Sequence, residues 1–86
     1  MEKYKIEIKR SAFKEIERLP RKDIYIVTSR IEALAANPRP HDCKKLSAQE
    51  KYRIRCGDYR ILYSTEDKIL TIFVVKVGHR RDIYKK

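Results

Sequence analysis

The densest run of chemically capable side chains in this 86-residue sequence is VGHRRDIYKK, Val77 to Lys86. His79, Arg80, Arg81 and Tyr84 follow directly on the most apolar run of the chain, Ile69 to Val75. A second basic set stands upstream, with Arg53, Arg55 and Arg60 in KYRIRCGDYR. Arginine keeps its charge at any physiological pH, and its planar fork matches phosphate oxygens. Imidazole titrates near neutrality and can move a proton. A tyrosine ring offers a plane on which an unpaired base stacks. Together these groups suit a phosphate and a base, as single-stranded RNA presents them.

The hairpin that carries the upstream set decides which of its side chains meet. Gly57-Asp58 reads as a two-residue turn between KYRIRC (51–56) and YRILYS (59–64). Counting outward, Cys56 faces Tyr59, Arg55 faces Arg60, Ile54 faces Ile61, Arg53 faces Leu62 and Tyr52 faces Tyr63. The alternation of a strand then puts Tyr52, Ile54, Cys56, Tyr59, Ile61 and Tyr63 on one face and Arg53, Arg55 and Arg60 on the other. Two arginines directly opposite repel each other, and an anion bound between them relieves that repulsion. As plain structure, the same residues are solvated charges on an outer sheet face. The terminal segment, arriving from the next strand, is expected to bring His79, Arg80 and Arg81 to this face and leave Arg60 exposed, so that Arg60→Ala stays folded.

The remaining elements form the scaffold. YKIEI (4–8) alternates like a strand, and Ser11 is placed to cap a short helix carrying Phe13, Ile16 and Leu19. Pro20 ends that helix, and Asp23 is placed to cap a second one. Ile24, Val27, Ile31 and Leu34 recur as one apolar stripe, stopped by Asn37-Pro38. Residues 39–50 read as loop, and Glu66-Asp67 as a tight turn before ILTIFVVKV (69–77). The predicted fold is α+β with the order β-α-α-β-β-β: one antiparallel sheet with the helical hairpin on one face. The near-continuous apolar run of the last strand predicts a central position.

Length and composition agree with one domain over residues 1–86. Lys and Arg number 22 against 12 acids, a net charge of +10, and charged residues make up 40%. Such an excess directs the chain toward a polyanion or an acidic protein. Cys43 and Cys56 are the two cysteines; scattered, with no secretory segment ahead of them, they read as reduced thiols in the cytoplasm. No run approaches the ~20 apolar residues of a membrane span.

With these residues in view, the chain resembles the RelE/ParE toxin superfamily, and within it the RelE-type mRNA interferases. The resemblance rests on the alternating first strand, KEIERLP, a second helix closing at NPRP, CKKL, YRIRCGDYRILY and VGHRRDIY. It implies the toxin of a type II toxin-antitoxin pair, an endoribonuclease that cuts mRNA in the ribosomal A site without a metal or other cofactor. In that chemistry the 2′-hydroxyl attacks the adjacent phosphate in line, leaving a cyclic phosphate and a 5′-hydroxyl. The resemblance assigns Arg60 to the scissile phosphate, Arg80 to developing charge and the leaving oxygen, and Tyr84 to stacking on the substrate nucleotide. Arg53 and Arg55 stand where well-known members carry two lysines, one of them assigned as general base. Arginine is a poor proton acceptor, so these two are expected to hold phosphate, with Arg81. His79 becomes the candidate proton shuttle; its alternative is a turn residue bonded to backbone. Lys44 and Lys45 are candidates for rRNA phosphates, or simply solvated.

The implied partners are a cognate acidic RelB-like antitoxin, mRNA on the ribosome with its rRNA, and operator DNA through the antitoxin complex, with no membrane. Two other readings share the fold. One is a ParE-like protein that poisons gyrase and cuts nothing; the other is a non-catalytic basic nucleic-acid-binding module.

Overall fold

A computed structural model describes residues 3–46 and 51–79. The chain runs through β1 (Lys5–Ile8), α1 (Arg10–Glu17), α2 (Arg21–Ala33), β2 (Lys44–Lys45), β3 (Lys51–Cys56), β4 (Tyr59–Glu66), a 3-10 turn (Asp67–Ile69) and β5 (Thr71–His79). Among the described residues five strands form one sheet in the order β1-β5-β4-β3-β2. The α+β class and the helical hairpin agree with the sequence reading.

The sheet is mixed where an antiparallel one was expected, because β1 lies parallel to β5, Lys5 opposite Thr71 through Ile8 opposite Val74. Alternation in YKIEI specifies which side chains face the core but says nothing about strand direction. The expected loop 39–50 also contains β2, which pairs antiparallel to β3. As expected, β5 is internal, with β1 on one side and β4 on the other.

Helix α1 begins at Arg10 after Lys9 and has no side-chain cap, so Ser11 lies within its first turn instead of capping it. Its inward positions are Ala12 and Ile16, with Leu19 packed beside them. Phe13 is turned outward, since spacing of four and three from Ala12 defines the buried stripe. In α2 the stripe holds: Val27, Ile31 and Leu34 are buried and Ile24 packs against them. Pro20 precedes the first turn, and the Asp23 N–H bonds to the Pro20 carbonyl, so Asp23 sits inside α2 rather than capping it. The Tyr4 N–H donates to the Ala35 carbonyl at 2.8 Å, which returns the chain to the start of β1.

The β3–β4 turn forms at Gly57-Asp58, with Gly57 at φ +60°, a conformation glycine adopts without Cβ strain. The β4–β5 connection is longer than expected. It passes through the 3-10 turn and Leu70 at φ 47°, so β5 starts at Thr71. The core lies between the helices and one sheet face, where Ile54, Ile61, Tyr63, Ile72, Val74 and Val77 are all at most 1% exposed.

Candidate functional site

The hairpin register is the one that counting predicts: Arg55 opposite Arg60, Ile54 opposite Ile61, Arg53 opposite Leu62 and Tyr52 opposite Tyr63. The next ladders extend two rows across the face turned away from the helices. One row runs Lys44, Arg53, Leu62, Lys76, and the other runs Arg55, Arg60, Gly78. Lys44 thereby joins the arginine face, whereas Lys45, opposite Tyr52, belongs to the other parity.

Arg60 is not the exposed charge the sequence suggested. It is 2% exposed, while Arg55 opposite it stays exposed and Arg53 is half-buried. Its partner on the other side is Gly78, which adds no side chain to the row. A buried guanidinium beside a second one has lost hydration and gains from an anion more than a solvated one does.

His79 goes elsewhere. It is paired with Tyr59, and their rings meet edge to face at 5.9 Å. Tyr59 in turn donates its hydroxyl to Asp23 Oδ2 of α2 at 2.7 Å. Cross-strand partners share a face, so His79 lies on the helix side of the sheet, opposite Arg55 and Arg60. There it lines a pocket of about 200 Å³ with Asp23, Ile26, Cys56, Gly57, Asp58 and Tyr59. The expected gathering of His79 with the arginines is therefore corrected by the parity of β5. Arg80, Arg81 and Tyr84 lie outside the described residues.

The hydrogen bond to Asp23 raises the Tyr59 pKa above its ordinary value, and burial pushes the Cys56 thiol up, away from thiolate chemistry. Among the described residues no group of three His, Cys, Asp or Glu side chains gathers to hold a metal ion, and no helix is long and apolar enough to cross a membrane.

Two residues that shape the site were not singled out by sequence reasoning. Arg39, in NPRP, donates to the Tyr52 hydroxyl (2.9 Å), Thr65 Oγ1 (3.0 Å) and Asp67 Oδ2 (2.9 Å), and its guanidinium stands 5.4 Å from the Tyr52 ring centroid. It ties the loop after α2 to β3, β4 and the following turn. The Tyr63 hydroxyl adds a bond to the Pro38 carbonyl at 2.7 Å. The second residue, Glu15 in KEIERLP, accepts from Lys76 Nζ and from the Val77 N–H. An arginine between two prolines was a usable signal for the first; nothing local marks the second.

The site is thus a small mixed sheet with helices on one face and a cationic row on the other. Residues 6–84 match the family described as the ParE toxin of type II toxin-antitoxin systems. The chain belongs to the RelE/ParE superfamily of type II toxins. It is 33% identical to a Methanocaldococcus jannaschii relative that carries the name toxin RelE1, over 96% of this chain and 97% of that one. Its fold superposes on a chain of the Mycobacterium tuberculosis RelBE2 toxin-antitoxin complex with TM-score 0.82 and 25% identity, covering 93% and 94% of the two chains. A chain of the Pyrococcus horikoshii RelE–RelB complex superposes with TM-score 0.79 and 25% identity, covering 91% and 96%.

Proposed function

We propose that this toxin is a metal-independent endoribonuclease that cuts mRNA in the ribosomal A site. The observation that supports this reading best is the buried Arg60 standing opposite Arg55 on the sheet face that also carries Arg53 and Lys44. A phosphodiester seated between Arg55 and Arg60 relieves their repulsion in the ground state. As the 2′-oxygen forms its bond to phosphorus and the bond to the 5′-oxygen breaks, the phosphorane gathers charge that Arg60 stabilises without reorganising. The products are a 2′,3′-cyclic phosphate and a 5′-hydroxyl. Arg80 supports the leaving oxygen and Tyr84 stacks on the nucleotide. Arg53, Arg81 and Lys44 contact RNA phosphates; Lys45, on the other parity, is left to phosphates outside this face. A proton-transfer role for His79 requires the substrate to pass around the end of β5 to the helix side, and it is left out of this mechanism.

The +10 charge fits a cognate acidic antitoxin that wraps the toxin and covers the arginine face; the Pyrococcus horikoshii relative is named as a complex with RelB. Operator DNA is then reached through that complex, and the site of action is the cytoplasm.

Mapping RNA 5′ ends after brief induction, and incubating purified toxin with mRNA-programmed ribosomes, tests the proposal. Cleavage within codons, yielding 5′-hydroxyl ends, is the expected result. A second reading, gyrase poisoning, is favoured by the family match to ParE toxins. Intact mRNA together with gyrase-dependent DNA breaks would establish it in place of the first.

A further inference from the structure

Strand β5 outruns its neighbour. It extends from Thr71 to His79, but β1 covers its outer edge only from Thr71 to Val74. The β4–β5 register also shifts here: Leu62 pairs with Lys76 and Tyr63 with Val74, leaving Val75 as an extra residue. A bulge bends its strand and weakens the local ladder. Among the described residues the last stretch of β5 is therefore held on one side by β4 and has no strand on the other, where an unmet backbone N–H carries a desolvation cost.

Glu15 of α1 fills that place. Its Oε1 accepts the Val77 N–H at 2.8 Å, and its Oε2 accepts from Lys76 Nζ at 3.0 Å. One carboxylate thus meets the Val77 backbone N–H that a neighbouring strand would otherwise take, and pairs with the Lys76 side chain as well. The next residue along β5 is Gly78, the partner of Arg60. If β5 frays at Val77, Gly78 leaves its register with Arg60, and the β4 backbone that carries Arg60 loses its partner there.

We infer that Glu15 is a positioning residue for the cationic site: by closing the bare edge of β5 it keeps Gly78 opposite Arg60 and so fixes where Arg60 points. This rests on the ribonuclease reading for its kinetic consequence, but not for its structural one. A displacement of about 1 Å at a reacting centre costs on the order of 100-fold in rate. Glu15 acts on that displacement and not on the affinity of the face for RNA.

The test compares wild type with Glu15→Ala, Glu15→Asp and Glu15→Gln on programmed ribosomes, with exchange of the Val77 amide measured in the same proteins. Glu15→Ala should lower kcat by about 10- to 100-fold with KM within about threefold, and Val77 exchange should accelerate about tenfold. Glu15→Gln keeps a neutral acceptor for the N–H and should restore most of the rate. Glu15→Asp, one methylene shorter, should resemble Ala and serves in its place if the Ala protein does not fold. Wild-type rate and protection in Ala or Asp overturns the inference, as does a rise in KM without loss of kcat. Failure of wild type to cut mRNA overturns the ribonuclease reading instead, and the Val77 exchange then decides the edge-closing role alone.

Discussion

Replacing Arg55 with Glu should make this protein more stable and less toxic at once. Arg55 is exposed and Arg60 buried, directly opposite on adjacent strands. For two like charges taken as roughly 7 Å apart in an effective dielectric of about 40–80, the repulsion is about 0.6–1.2 kcal/mol. Exchanging repulsion for attraction doubles that figure, and a Debye length of about 10 Å at 0.1 M salt halves it again. The net gain is about 1 kcal/mol, or a rise in Tm of about 4–8 °C for a domain of this size. In 1 M salt, where the Debye length is about 3 Å, the gain should nearly vanish. Arg55→Gln should give about half the effect. The assay is thermal unfolding by circular dichroism at both salt concentrations, beside growth after induction. Toxicity should disappear although the fold is stabilised, which separates loss of function from misfolding. A lower or unchanged Tm at 0.1 M salt would refute the claim that the two arginines strain each other. An equal gain at both salt concentrations would refute its electrostatic origin.

Three further outcomes follow from the same geometry. Arg39→Lys keeps the charge but cannot reach the Tyr52, Thr65 and Asp67 oxygens together, so urea unfolding should show a loss of about 1–2 kcal/mol. Tyr4 and Tyr59 have pKa values raised chiefly by hydrogen bonds to Asp67 and Asp23, and Tyr63 is raised chiefly by burial. Their stabilising effect is complete below the ordinary tyrosine value of about 10 and is lost as pH rises through the raised values; with the other tyrosines replaced by Phe, the phenolate absorbance of Tyr63 should therefore appear together with unfolding, not before it. Gly57→Ala meets nothing within 4 Å but forces a Cβ onto φ +60°, so it should cost about 1 kcal/mol by chemical denaturation without displacing neighbours.

Local rules carried the sequence reading a long way in this chain. The Gly57-Asp58 turn fixes the hairpin register by counting alone, and the structure shows the same pairs from Cys56–Tyr59 to Tyr52–Tyr63. The apolar period of α2 identifies Val27, Ile31 and Leu34 as core because a helix repeats its face every three or four residues. The positive charge and the family resemblance were likewise legible, since both are properties of the chain in order. The parallel pairing of β1 with β5 was not, because alternation is the same for either strand direction.

What the sequence determined by itself, then, is which side chains share a strand face or a helix stripe, since turn length and periodicity act over a few residues. Tertiary structure decided the rest. It buried Arg60 beside Gly78, turned His79 toward Tyr59 and the helices, and placed Glu15 against the end of β5. Each of these depends on contacts between elements distant along the chain, where burial and the geometry of a neighbouring strand, not residue type, set what a charge can do.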